Sequence, residues 1–427
     1  MTTSSEPQSA LPWYRGIARY QWLIFFLASA GWVFDVYEGQ IFNITRKSLF
    51  ADILGPDRTP AQVKMYGDAF LGIFLVGGTF GGLFFGALAD RWGRKPTLAL
   101  TILLYSVFSG MTYWATSLWQ IALLRFIVAA GVGGEWSVAA ALVAETFPAR
   151  ARAQASSFFQ ASSVLGTWIA ALVGYLVAEH WRLAYLVGVL PALLLLGVRL
   201  GMVEPKRAPA SAESAAKAGS IPELLANPRW RKRAILGLLL AAIGLGTFWG
   251  VHIEGQGLAE LVFVRGGATE ANAADRAKIA YGWIEATGGG IGLMAFGPIA
   301  ARWGRRRTFI FYHAMAFALV PITCFAPATV WQFLTLLPLF GFFTLGLHAG
   351  YAVYFPELFP NHLRATGAGF CFNGGRLVAA PILFFSGWFK GFVGSLPMAV
   401  SILGCMFLLG IVIVLFLPET RGQPLPE

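Results

Sequence analysis

Long apolar runs alternate with short polar breaks along the whole chain. A helix crosses the roughly 30 Å hydrocarbon layer of a membrane with about 20 mostly apolar residues. That rule predicts twelve crossing helices, near 22–44, 68–89, 96–114, 119–143, 154–178, 182–203, 234–262, 279–301, 308–326, 330–354, 364–389 and 396–417. Polar residues intrude most at the ends of the first and seventh. The first run follows a polar stretch, Met1–Gln21, and precedes eleven others, so it reads as a span and not as a cleaved signal. The expected fold class is an all-α membrane protein with twelve transmembrane helices.

The longest break, 204–233, lies between the sixth and seventh runs. Its Ala/Ser/Pro/Lys-rich first part reads as a flexible linker, and it ends in Arg229, Arg231, Lys232 and Arg233. Ser220–Asn227 reads as a short surface helix capped by Ser220. The expected organisation is a tail (1–21), a six-helix half (22–203), a linker (204–233), a second six-helix half (234–417) and a tail (418–427).

The halves carry an internal repeat. Gly86-Ala-Leu-Ala-Asp90-Arg91-Trp92-Gly93-Arg94-Lys95 follows the second run, and Gly297-Pro-Ile-Ala-Ala301-Arg302-Trp303-Gly304-Arg305-Arg306 follows the eighth, 211 positions on. Glu145-Thr-Phe-Pro148 with Arg150 recurs as Glu357-Leu-Phe-Pro360 with Arg364, with the glutamates 212 apart. Two motifs at nearly one offset mark the halves as pseudo-symmetric copies. Such repeats place a substrate site between them, near mid-membrane.

Composition supports lipid as the solvent. Only 12% of residues are charged and 57% are hydrophobic, against roughly a quarter charged in soluble domains. The net charge of +11 sits at the ends of apolar runs, which argues against nucleic-acid binding. With Arg182 and Arg364, the first residues of their runs, counted in the breaks before them, breaks on the side of the termini hold 20 Lys and Arg and those on the far side 9, while Arg125, Arg199 and Arg376 fall inside runs. This excess predicts cytoplasmic termini and an inner-membrane location. Cys324, Cys371 and Cys405 lie in apolar stretches and imply no disulfide framework. No P-loop, HExxH, CxxC or GxSxG occurs, so neither ATP hydrolysis nor other enzyme chemistry is expected, and no metal or cofactor.

Ionisable groups inside spans are expensive and mark function by default. Asp35 and Glu38 share one face of the first run. Burial disfavours a charged carboxylate and a nearby cation restores it, which is what proton coupling requires; a structural ion pair is the alternative. Arg376, in Asn373-Gly374-Gly375-Arg376, offers a bidentate fork for a carboxylate, with Asn373 as an added donor; an interdomain pair is the alternative. The seventh run holds His252, Glu254 and Gln256 among Gly250, Gly255 and Gly257, and Glu254 and Gln256 are candidate cavity residues. Glu285 and His348 carry no assigned role. Tyr37, near Asp35, is a candidate for stacking on a substrate ring.

These motifs resemble those of the major facilitator superfamily over essentially the whole chain. Gly133-Gly134-Glu135-Trp136 resembles the metabolite, sialic-acid and aromatic-acid proton symporters. Pro356–Pro360 with Arg364 and Pro418-Glu419-Thr420-Arg421-Gly422 resemble the sugar porters. The Gly-Pro antiporter signature is absent from Ser156–Tyr175, which favours uptake. The resemblance implies a cytoplasmic gate built from Gly86, Asp90, Arg91, Gly93, Arg94, Lys95, Arg302, Gly304 and Arg305. It also implies conformational ion pairs among Glu145, Arg150, Glu357 and Arg364. Arg125 and Glu135 would join Asp35 and Glu38 in proton coupling, with Arg125 pairing the first-helix acid; interfacial snorkelling of Arg125 or a buried pair for Glu135 remains open. The expected function is proton-coupled uptake of a small organic anion by a monomer. A uniporter, sodium symporter, exporter or transport-inactive sensor on the same scaffold remains open.

Overall fold

In the computed structural model, residues 12–177, 180–204 and 215–427 are described. Parts of the expected tail (1–11) and linker (205–214), the end of the fifth run (178) and the side chain of Arg199 lie outside them.

The chain folds as twelve crossing helices. The first six are Arg19–Leu54, Pro60–Trp92, Arg94–Met111, Leu118–Thr146, Ala149–Val177 and Trp181–Val198. The seventh to twelfth are Pro228–Arg265, Ala286–Trp303, Arg305–Phe325, Val330–Leu358, Arg364–Val393 and Leu396–Leu415. Among the described residues nine are long and apolar enough to cross a membrane. The first, eighth and eleventh fall outside that set, and they carry Asp35 and Glu38, a glycine run, and Arg376. Their polarity is tolerable because it faces protein and not lipid. The first helix has 36 residues, roughly 54 Å at 1.5 Å per residue, so its far end stands clear of the hydrocarbon. The helix expected near Ser220 spans Ile221–Ala226, and the Ser220 hydroxyl accepts from Glu223 N–H at 3.2 Å.

Both ends of the described residues lie at one end of the bundle. Arg150 donates to the Pro12 and Arg15 carbonyls, and Arg364 donates to the Pro426 carbonyl. Gly93 (φ 122°) and Gly304 (φ 94°) reverse the chain between the second and third and the eighth and ninth helices. A side chain at either would be strained.

Glycines set the helix spacing, and they repeat with the halves. A Cβ on Gly81 would lie 1.9 Å from the Ala130 carbonyl oxygen, and one on Gly292 would lie 2.1 Å from that of Phe342. Gly77 meets Phe126 and Gly288 meets Pro338 in the same way. Small residues let backbones close within a bilayer, where helices gain from packing and not from hydrophobic burial. Between the halves, Gly86 abuts Ala365 and Gly297 abuts Ala153. The two contacts between the halves, Gly86 on Ala365 and Gly297 on Ala153, lie toward the end holding the termini, so the halves close there.

Candidate functional site

The closed end is a lattice of buried charges. The Arg94 guanidinium donates to Glu145 at 2.7 Å and to Asp90 at 2.6 Å within its own half. Arg364, from the other half, reaches the same Glu145 oxygen at 2.9 Å. The pseudo-symmetric copy has Arg305 on Glu357 at 2.7 Å, and Arg152 crosses to Glu357 at 3.9 Å. Each bridging glutamate thus ties one arginine of its own half to one of the other. Glu204 accepts the Arg94 and Lys95 amides at 2.6 and 2.8 Å, and Glu419 accepts those of Arg305 and Arg306 at 2.9 and 3.1 Å. A carboxylate at a helix N-terminus is favoured by the helix dipole.

The copies differ at one place. Asp90 accepts from the Ala365 and Thr366 amides at 3.2 and 2.8 Å and from the Thr366 hydroxyl at 2.5 Å. It therefore caps the eleventh helix of the opposite half. Ala301, its counterpart, makes no such bridge.

Several expected gate residues stand elsewhere. Arg150 holds the start of the chain, and the residue that bridges to Glu357 is Arg152. Arg302 is exposed. Arg91 is exposed and donates to the Ala218 carbonyl at 2.9 Å.

At mid-depth the polar groups are buried but poorly matched. Asp35 is 2% exposed and Glu135 fully buried, and by strict geometry none of their four carboxylate oxygens has a hydrogen-bond partner among the described residues, although the Tyr105 hydroxyl lies against Glu135. Asp35 lies within electrostatic reach of Glu135, Arg376 and Glu38. Gly31, one turn before Asp35, makes room for Glu135: a Cβ there would lie 1.6 Å from its carboxylate. Arg376 lies over the Phe372 ring (4.9 Å) against Gly78, and no ion pair holds it among the described residues.

Arg125 meets Glu38, not Asp35. Its guanidinium is 3.7 Å from the Glu38 carboxylate and is sandwiched between Phe42 and Phe74, each 4.5 Å away. The Ser109 hydroxyl donates to Glu38 at 2.6 Å. Asn373 donates to the Gly133 carbonyl at 3.2 Å and to Ser137 at 3.1 Å, which ties the eleventh helix to the fourth. Tyr37 is buried away from the cavity and donates to the Ala184 carbonyl at 2.6 Å.

A cavity of about 600 Å³ separates the halves beyond the lattice. Trp32 and Val36 of the first helix line it, flanking Asp35, as does Phe372, which carries Arg376 on the next turn. Gln256, His252 and Tyr281 line the opposite wall. Glu254 is at the rim, paired with Lys390 at 2.6 Å. Asn43 and Gln160 also face the cavity; as neutral amides they carry no charge to mark them in the sequence. Trp136 fixes Gln160 by donating to its side-chain oxygen at 3.0 Å. At the far face, the Arg182 guanidinium beside Asp52 holds that carboxyl below the usual carboxylate range.

Two repeated six-helix halves closed at one end around a polar cavity define the secondary-transporter class. The chain belongs to the Major Facilitator Superfamily, whose profile matches residues 22–268, and the "Sugar (and other) transporter" profile matches residues 294–427. It is thus a multi-pass membrane transporter and not an enzyme. The chain is 29% identical to a putative metabolite transport protein of Haemophilus influenzae, over 95% of this chain and 98% of that one. It is 27% identical to a probable 4-methylmuconolactone transporter of Cupriavidus pinatubonensis (96% and 93%) and 28% identical to a sialic acid transporter of Escherichia coli (89% and 91%). Its fold matches that of the proton:xylose symporter XylE, with a TM-score of 0.74 at 19% identity over 95% of this chain and 98% of that one.

Proposed function

We propose that the chain catalyses proton-coupled uptake of a small organic anion, such as a carboxylate metabolite, an acidic sugar or an aromatic acid, by alternating access. The carrying observation is a count of charges. Three buried carboxylates, Asp35, Glu38 and Glu135, face two guanidinium groups, Arg125 and Arg376. A low-dielectric interior penalises unbalanced charge, so one carboxylate keeps a proton. Arg125 belongs to Glu38, which leaves Arg376 as the cation shared by Asp35, Glu135 and any arriving anion. A substrate carboxylate on Arg376 displaces the countercharge of Asp35 and so draws a proton with it. Proton and anion then bind together, which is symport.

Relatives named for sialic acid, cis,cis-muconate, niacin and shikimate support an acidic substrate. The Lys and Arg excess on the side of the termini supports cytoplasmic termini in the inner membrane. On that orientation the lattice is the cytoplasmic gate and the cavity opens outward. The transporter works as a monomer.

The test is uptake into proteoliposomes of labelled aromatic acids, sugar acids and dicarboxylates beside neutral sugars. Saturable uptake of an acid, driven by an inward proton gradient and collapsed by an uncoupler, is expected. Uptake of neutral sugars only, or acid uptake indifferent to the uncoupler, would refute the proposal.

A further inference from the structure

The C-terminal half holds a second buried acid that the charge count above leaves out. Glu285 is fully buried on the eighth-helix side, and neither of its oxygens has a hydrogen-bond partner by strict geometry among the described residues. The polar group facing it is the imidazole of His252, with Nδ1 3.1 Å from the carboxylate. Both residues sit on single π-helical turns, Phe248–His252 and Ala280–Glu285. Such turns interrupt helices chiefly at functional places. Two of them face each other here and aim this pair inward. A Cβ on Gly255 would lie 2.3 Å from the carboxylate, so that glycine makes room for it.

Thr344 fixes what the imidazole sees. Its hydroxyl donates to the Phe340 carbonyl at 2.7 Å and lies 3.2 Å from His252 Nδ1. Having spent its proton, Thr344 can only accept. Nδ1 therefore either carries the imidazole's own proton or accepts one from Glu285. With the first alone, Glu285 would be a fully buried anion beside a neutral ring, a charge the interior penalises, so the pair holds one further proton, written either as neutral His252 with Glu285 acid or as imidazolium with carboxylate. Transfer between the two forms moves one proton from the Glu285 oxygen to Nδ1 and leaves the total charge at zero.

The other ionisable groups around the pair do not replace that proton. Glu254 is paired with Lys390 at 2.6 Å, Tyr281 packs against the His252 ring, and His348 packs against Phe248 on the same turn. The twelfth helix, Leu396–Leu415, brings no carboxylate or cation. His252 lines the cavity, so the site has a path to water.

We propose that His252 and Glu285 form a proton-holding site in the C-terminal half, separate from the Asp35 cluster, which exchanges its proton with the cavity. It rests on the transport reading, as the second of two protonation sites that alternating access exposes.

Infrared difference spectroscopy tests it, on the full-length protein in lipid, stepped between about pH 5 and pH 9, the range in which an imidazole pair exchanges protons. A protonated-carboxyl band that is lost in Glu285→Gln, and whose midpoint moves in His252→Gln, is expected. The Asp35 band is scored separately through Asp35→Asn, so the two sites can fail independently. A Glu285→Gln spectrum identical to wild type over the whole range would overturn the proposal while leaving the Asp35 cluster untouched. If Glu285→Gln does not fold, His252→Gln decides alone, and an unmoved midpoint overturns it. A carboxylate band that ignores pH but responds to sodium ions also overturns it, in favour of a cation site.

Discussion

The two ends of the buried polar network differ in kind. In the lattice at the end of the termini, every arginine has a carboxylate and both bridging glutamates have two cations. At mid-depth, among the described residues, Asp35 and Glu135 are buried with no ion pair, Glu285 has only the His252 imidazole, and Arg376 has a ring beneath it and no carboxylate in contact. Buried charges that are fully paired hold a structure in one arrangement; unpaired ones are tolerated where something else arrives to pair them. The difference separates what closes the molecule from what the molecule closes around.

The largest effect is expected in the lattice. Arg94→Ala leaves Asp90 and Glu145 without their own-half cation, and losing one member of a buried pair costs about 3–5 kcal/mol. Arg302→Ala, at an exposed position, should stay within about 0.5 kcal/mol. Thermal unfolding in detergent by a thiol-reactive dye compares the two, and equal melting temperatures would erase the contrast. Arg376→Ala tests the other region. On the proposed reading it should leave the melting temperature nearly unchanged. Anion binding should weaken by about 2–5 kcal/mol, or roughly thirty- to several-thousand-fold. Calorimetric titration of the best transported acid reads this out.

A smaller effect sharpens the comparison within the lattice. Asp90→Ala makes the first gate resemble the second, where Ala301 stands. Losing the Asp90 cap on the eleventh helix should cost about 1–2 kcal/mol of the closed form. Cysteines placed along the lattice end of the cavity should then label faster, and unchanged labelling would mean that the cap does not hold the gate. The smallest effect belongs to Asp52 on the far face. Its carboxyl is lowered by Arg182, so any stabilisation is present above the unfolded value of about 4 and fades as pH falls through the lower folded one. The pair is well exposed, so Asp52→Asn should cost less than about 1 kcal/mol near neutral pH and nothing in acid.

The fold was readable because apolar length and repeat spacing are local properties of the chain. The ion-pair lattice was readable at Asp90, Arg94, Glu145, Glu357 and Arg364, which stand in the repeated motifs. Arg152 was missed in favour of Arg150, although spacing held the answer: Arg152 follows Glu145 by seven positions, as Arg364 follows Glu357. Glu204 and Glu419 were missed because each caps a helix that begins about 110 positions earlier. The centre was less readable. Sequence shows that Asp35 and Tyr37 are close along one helix, but the rotation that turns Asp35 inward and Tyr37 toward Ala184 is decided by packing against the fifth and sixth helices. Likewise only the fold shows that Arg125 belongs to Glu38 and that Asn373 spends its donors on Gly133 and Ser137.

The central claim is that the unmatched charges at mid-depth take up a proton together with the substrate anion. The direct measurement is proton movement and labelled flux together, in proteoliposomes holding a pH-sensitive dye, for wild type and Asp35→Asn. Wild type should carry protons inward with the acid and accumulate it against its gradient. Asp35→Asn should lose both and keep one-for-one exchange of the acid. Gradient-driven accumulation by Asp35→Asn at the wild-type level would contradict the account.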